Sequence, residues 1–354
     1  MTIPAPSAAA EPLAVARNSP TERVAYPPSA VAAPVQPAPD RIRMDPTIEL
    51  PHPHTVDTRR VRWSVAGSIL AIHVLALAAC FPWLFSWSAV TVLLIGIYVF
   101  GTLGINLCYH RLLTHRGFIV PKWLEHSFAV IGMCSLEGSP ASWVAAHRMH
   151  HQHADHQPDP HSPLVDFFWS HMSWLMVENH ALSASAGLPR YARDVCRDRF
   201  YFRLEKHQRW LLMYPLHALA FALAGAAWGW FVGGSTEAAG TVAAATQAGL
   251  SWVVWGVLLR TVVVWHITWS VNSFTHLFGY RNYETNENSR NNWIVALLSN
   301  GEGWHNNHHA DQRSAAHGHK WWEFDVTYLT IMALRAVGLA KQVVQPRHKP
   351  HRKV

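Results

Sequence analysis

The chain has 354 residues, half of them hydrophobic and only 14% charged, with a formal net charge of +7. A soluble domain carries about 25% charged residues, so this composition excludes an ordinary water-soluble globule and points to a membrane. The basic excess avoids the apolar stretches and comes without a nucleic-acid-binding motif, which excludes a nucleic-acid partner and leaves Lys- and Arg-rich loops beside a bilayer.

Residues 1–58 are rich in Ala and Pro, as in PAPSAAAEP and VAAPVQPAPD, and show no hydrophobic period. Such a segment buries too little apolar surface to offset its ordering entropy, and it is predicted to be disordered. It has no apolar core near Met1, so it is not a secretory signal. Glu11, Glu22, Asp40 and Asp45 argue against an organelle transit peptide.

Residues 59–345 read as one membrane domain, followed by a basic tail, 346–354. Four stretches are apolar enough to cross a bilayer, at about 63–84, 88–109, 211–232 and 249–273. About 22 residues at about 1.5 Å each reach about 33 Å, close to the hydrocarbon thickness. Phe85-Ser86-Trp87 joins the first two in a tight hairpin, and a Gly/Ala/Thr-rich loop near 233–248 joins the other two. Neither connection holds a Lys or Arg, whereas 110–209 holds 11, the tail before Arg62 holds 6 and the residues from 281 onward hold 10. The positive-inside rule then places both termini and the long middle segment in the cytosol. Arg260 falls inside the fourth span, where a charge is expensive, and must either reach outward or pair within the bundle. Cys80, Cys108, Cys134 and Cys196 form no CxxC pair and read as small hydrophobes rather than ligands or disulfides.

The histidines carry the chemistry. The first cluster is His110-Arg-Leu-Leu-Thr-His115, at the cytosolic end of the second span. The second is His147-Arg-Met-His150-His151, and the third is His305-Asn-Asn-His308-His309. Positions i, i+3 and i+4 share one helix face, so each triplet is expected to point at one location. His110 and His115 lie about 140° out of phase on an ideal α-helix and need a helix end, a bend or two metals. Eight imidazoles exceed the needs of one metal and suit two. His276, just past the fourth span, is a further candidate, with the Asn272 amide one turn before it. Asp155, Asp159 and Glu302 flank the clusters and are expected to accept the second N–H of ligating histidines. The remaining histidines are read as non-ligands, with His73, His217 and His266 pairing with neighbouring helices.

These stretches resemble the membrane fatty acid desaturases, in particular the stearoyl-CoA-type delta-9 branch. The order HxxxxH, HxxHH, HxxHH is the family's mark. WVAAHRMHHQHADHQPDPHSP, FFWSHMSWLM, TWSVNSFTHLFGYR and GEGWHNNHH look like the same branch, and the similarity runs from about Arg59 to Gln345. The resemblance implies an all-α integral membrane protein, with four transmembrane helices and a cytosolic helical cap holding a di-metal site. It implies two irons held by His110, His115, His147, His150, His151, His276, His305, His308 and His309, with Asn272 reaching one iron through water. It also implies a bent substrate tunnel shaped by Trp143 and Thr268. The family usually has Gln where this chain has Glu137, a departure at the tunnel's bend.

The implied reaction removes two hydrogens from a saturated fatty acyl chain, using O2 and two electrons, and forms a cis double bond at the delta-9 position. The expected substrate is an acyl-CoA, with an acyl-lipid as the alternative. The chain shows no cytochrome b5-like extension, so ferredoxin or cytochrome b5 with its reductase is the expected electron donor. Arg190, Arg193, Arg197, Arg199 and Arg203 either attract that carrier or face the lipid surface. Two competing readings are a di-iron hydroxylase and a metal transporter. Transporters place ligands near the bilayer midplane, whereas these clusters lie at the rim.

Overall fold

The computed structural model describes residues 45, 47–233 and 237–347. The tail expected to be disordered up to residue 44, and the basic tail from 348, lie outside the described residues. Residues 47–58 do not match that expectation. Leu50 N–H donates to the Leu164 carbonyl at 2.8 Å, the Gln157 amide donates to the Pro51 carbonyl at 2.7 Å, and the His52 ring meets Trp169 edge-on. These backbone and ring contacts supply what the Pro-rich composition alone does not.

Strand β1, Val56–Val61, pairs antiparallel with a later strand and is the first departure from an all-helical chain. Helix α1, Trp63–Ala76, continues as a tighter turn to Cys80, where Pro82 stops it for want of an N–H. Ser86 caps α2, Trp87–Gly96, by accepting the Ala89 N–H at 3.1 Å. The second span then changes winding and runs as a π-helix over Ile97–Thr114. Helix α3, Lys122–Met133, returns along it, and α4, Pro140–His153, follows with proline at its first position and Ser139 as its cap. Helix α5 is Phe167–His171, and β2, Val177–Asn179, is the partner of β1. Short helices α6 Gly187–Tyr191, α7 Arg193–Cys196 and α8 Arg199–Glu205 lead to a break at His207 and Gln208, both left-handed.

The third span is α9, Met213–Val232. The loop expected over 233–248 is largely helix: α10, Ala238–Val253, starts eleven residues earlier than expected, because alanine is the strongest helix former and no proline intervenes. A π segment, Val254–Leu259, joins it to α11, Arg260–Leu277, so the fourth span is a 40-residue run. Small residues let α9 and α10 touch. A Cβ on Gly225 would sit 2.7 Å from the Ala248 carbonyl, and one on Gly249 would sit 2.9 Å from that of Ala222. The outward faces of the spans are apolar and uncovered, with Leu70, Leu94, Leu219 and Phe231 all exposed. Hydrocarbon is the medium that fits such faces. Helices α12 Trp293–Leu298, α13 His305–Ala310 and α14 Val326–Ala336 complete the chain, α13 packing on the end of α11.

Arg260 pairs within the bundle. Its guanidinium donates to the Cys134 carbonyl twice at 3.1 Å and to that of Gly256 at 3.2 Å, meets His217 Nε2 at 2.8 Å, and lies over the Phe100 ring. His73 pairs with His266 across α1 and α11 at 3.1 Å. The four cysteines are free, Cys108 and Cys134 buried and Cys80 exposed.

Candidate metal centre

The nine candidate histidines gather into two groups. His110, His115, His147, His151 and His308 form the first, and His150, His276, His305 and His309 the second; within each, the donor atoms lie within 4.8 Å of one another. Each HxxHH triplet is therefore divided, and the expectation of one location per triplet is corrected. The reason is helical. Residues i and i+4 share a ridge, while i+3 is rotated to one side of it. His147 and His151 form the ridge of α4 and serve the first group, and His150 turns to the second. On α13 the roles reverse: the ridge pair His305 and His309 serves the second group, and His308 turns to the first.

The π-helix resolves the phase problem at His110 and His115. The His115 N–H donates to the His110 carbonyl at 3.1 Å, an i→i+5 bond, so five residues bring the two rings to one side. Their centroids are 4.8 Å apart. Helix α13 is fixed by the asparagines between its histidines. Asn306 accepts the backbone N–H of Asn282 and Tyr283, and Asn307 donates to Glu323 at 2.7 Å and to the His317 carbonyl at 2.8 Å.

Three carboxylates face these rings. Glu302 accepts from His110 Nδ1, Asp159 from His150 Nδ1 at 3.0 Å, and Asp155 from His276 Nδ1 at 2.9 Å. A carboxylate can only accept, so Nδ1 carries the proton in each and Nε2 is left facing its group. Burial pushes the Glu302 carboxyl up, but the charges of Arg111, His317 and His110 outweigh it and hold the group well below its usual range. Asp159 is lowered in the same way, burial being outweighed by His150. Burial first, then crowding by neighbouring imidazoles, holds His115, His147, His151, His305, His308 and His309 well below the usual histidine range. They are neutral, and free to ligate, at physiological pH.

The spacing fits a cation. Nε2 atoms face one another at 3.0–3.1 Å for His110–His308, His147–His151, His151–His308, His276–His305 and His305–His309. Lone pairs at that distance repel unless a proton or a metal ion lies between them, and nitrogens about 2.1 Å from one ion at right angles stand about 3.0 Å apart. The Nε2 atoms of His115 and His150 are buried without a hydrogen-bond partner. Both histidine groups can hold a metal ion. Asn272 stands half-buried one turn before His276 on α11.

The three residues expected at a tunnel bend also meet. Glu137 accepts the Trp143 indole N–H at 3.2 Å on one oxygen and the Thr268 hydroxyl at 2.9 Å on the other. Leu136 and Gly138, on either side, adopt left-handed backbone with φ of 56° and 110°, a strain that non-glycine residues seldom carry away from functional positions. Thr268 also lines a cleft between the second and fourth spans, beside Ile97, Gly101, Asn106 and Val264.

Sequence reasoning missed Arg111, Glu287 and His317. Arg111 is fully buried and holds Glu302 and Asp325, each at 2.8 Å; its place beside His110 was the available signal. Glu287 lies 3.7 Å from His309 and belongs to no recognisable motif. Among the exposed arginines, Arg190, Arg193, Arg197, Arg199 and Arg203 lie along α6 to α8.

The family described as fatty acid desaturase is matched over residues 83–325. An sn-1 stearoyl-lipid 9-desaturase of Synechocystis sp. is 43% identical over 80% of this chain and 80% of its own length. A chloroplastic palmitoyl-monogalactosyldiacylglycerol delta-7 desaturase of Arabidopsis thaliana is 42% identical, over 78% of this chain and 67% of its own. An acyl-CoA 5-desaturase of Anemone leveillei is 38% identical, over 80% and 79%.

Proposed function

The chain belongs to the fatty acid desaturase family, and from that premise we propose that it places a cis double bond at carbon 9 of a saturated chain esterified in a membrane lipid, using two irons, O2 and two external electrons. The observation that carries the reading is the convergence of nine imidazoles on two points. Iron supplies the oxidising power that an unactivated C–H bond demands and that redox-inert zinc lacks.

The remaining work falls to the protein. His110, His115, His147, His151 and His308 would hold one iron and His150, His276, His305 and His309 the other, with Asn272 a further donor on the side of His276. Glu302, Asp159 and Asp155 fix ring orientation by accepting the Nδ1 protons. Trp143 and Thr268, tied to one Glu137 carboxyl, brace the wall against which the acyl chain bends. An apolar enclosure fixes which C–H pair meets the metals. The centre faces the cytosol with both termini. Ferredoxin or cytochrome b5 with its reductase delivers electrons, and the exposed arginines of α6 to α8 offer an acidic carrier a landing surface.

The acyl-lipid substrate replaces the acyl-CoA expected first, because the relatives at 40–43% identity are named for lipid-bound chains and acyl-CoA relatives follow at 38–39%. The test is expression in a desaturase-deficient host fed a labelled saturated acid. Mass spectrometry locates the new double bond and pulse labelling finds the pool in which it first appears. The expected result is a 9-alkene appearing first in glycerolipid, absent with His308→Ala. First appearance in acyl-CoA restores the original substrate, and a hydroxylated chain without an alkene makes the protein a hydroxylase.

A further inference from the structure

Two buried histidines outside the nine have no task in the scheme above. His161 lies in the loop after α4 and is 3% exposed; His317 lies in the segment after α13 and is 1% exposed. Each packs its ring against one histidine of one group, His161 stacked and His317 tilted. The His161 ring stands 4.3 Å from that of His150 at 26°, and the His317 ring 4.3 Å from that of His308 at 31°. Each also sits against the carboxylate that orients a histidine of that same group. His317 Nδ1 is 3.2 Å from Glu302 Oε2, the oxygen that accepts from His110. His161 donates its backbone N–H to Asp159 Oδ1 at 3.1 Å, and its ring joins Asp159 and His150 in a set whose donor atoms lie within 4.8 Å of one another. The His317 backbone is itself pinned, its N–H by Asp325 at 2.7 Å and its carbonyl by Asn307 at 2.8 Å.

Stacking alone does not account for the residue type. Phenylalanine would stack as well and bury no nitrogen. Yet His161 Nδ1 and both ring nitrogens of His317 are buried without an aligned hydrogen bond, an arrangement that is costly unless the nitrogen acts on its surroundings. The arrangement also occurs twice, once per group, on unrelated segments of the chain.

We propose that His317 and His161 are paired positioning residues, one for each metal group, whose ring nitrogens hold the couples Glu302–His110 and Asp159–His150 in ligating orientation. The proposal rests on the ligand assignment above and extends it to residues that bind no metal themselves.

The test reads iron and not turnover. Full-length wild type, His317→Phe, His161→Phe, both Gln variants and the double Phe variant are purified, titrated anaerobically with 57Fe(II) and examined by Mössbauer spectroscopy. Phenylalanine keeps the stack and removes the nitrogens. Each Phe variant is expected to weaken one of the two irons by about 10- to 100-fold, the usual effect of losing a residue that orients a ligand. It should alter one component of the spectrum and leave the other unchanged, and the double variant should alter both. Glutamine, which keeps a polar nitrogen, should recover most of the loss. Two tightly held irons with unchanged spectra in both Phe variants would reduce the pair to packing. Equal disturbance of both irons by each variant would remove the one-per-metal assignment. Where a Phe variant does not fold, as judged by its melting curve, the Gln variant decides: a residual change confined to one iron's component supports the proposal, and an unchanged spectrum or loss of both irons overturns it. Wild type that binds no iron would instead sink the ligand assignment.

Discussion

Glu137 holds two donors on one carboxyl, and its ionisation shows how a single side chain tunes this site. Burial raises the group, the Thr268 and Trp143 hydrogen bonds and the Arg260 charge oppose it, and the balance leaves it at about 7 against an ordinary 4.5. An acid raised on folding contributes stability that is fully present below about 4.5 and is lost as pH rises through about 7. Glu137→Gln removes that slope. In detergent its melting temperature should change less than that of wild type between pH 5 and pH 8, and lie higher above pH 7. Parallel slopes would show that the carboxyl does not titrate there. Arg111 is the opposite case, a buried cation with both partners in place and a third bond to the Ala315 carbonyl at 2.7 Å. Arg111→Leu strands Glu302 and Asp325 and should cost about 3–5 kcal/mol of stability, read from unfolding midpoints; a loss under 1 kcal/mol would contradict it. Eight of the imidazoles were legible in the sequence because their spacing is local, and His276 because it follows the fourth span. Arg111 was not, because the contacts that give it meaning join residues 191 to 214 positions apart, and His317 was not, because it stands outside the HxxHH spacing although it packs on His308.

At the scale of elements, backbone winding is what the sequence hid. A Leu, Tyr and Gly pattern over 97–114 reads as an apolar span, and nothing in it separates α from π, since the apolar face is continuous in either. The difference decides where His115 points. Glycines show what holds the winding in place. A Cβ on Gly132 would sit 2.6 Å from the Tyr109 ring and 2.9 Å from the Gly104 carbonyl, so α3 presses on the turn that carries His110. Gly132→Val should cost about 1–3 kcal/mol by overpacking and lower iron occupancy of the first group as well. Gly225→Val is the control. It crowds Ala248 and Trp252 in the α9–α10 hairpin, and should lower the melting temperature by a similar amount while iron per folded chain stays at the wild-type value. Equal iron content in the two variants would mean that the α3 contact does not position the centre. The start of α10 shows the reverse failure. Ala, Gly and Thr over 238–248 suggest a loop by composition, yet the same small side chains allow the close approach to α9 that makes the segment helical.

At the scale of the molecule, function turns on which side of the bilayer the histidines face. The four spans were legible because twenty apolar residues in a row have few alternatives, and the faces of those helices are uncovered as a bilayer protein requires. Orientation was inferred from charge alone. The turn between the first two spans holds no cation and exposes Phe81 and Trp83, whereas Trp321, 96% exposed, lies close in sequence to the His317 and Glu323 network of the metal end. Electron donors that are soluble in the cytosol require the metal end to face them, so topology and chemistry stand or fall together. In a Cys80→Ser background, Trp83→Cys should react with a membrane-impermeant maleimide in intact cells, and Trp321→Cys should react only after permeabilisation. The reverse pattern would turn the centre away from its reductant and defeat the proposed reaction, however well the two histidine groups bind iron.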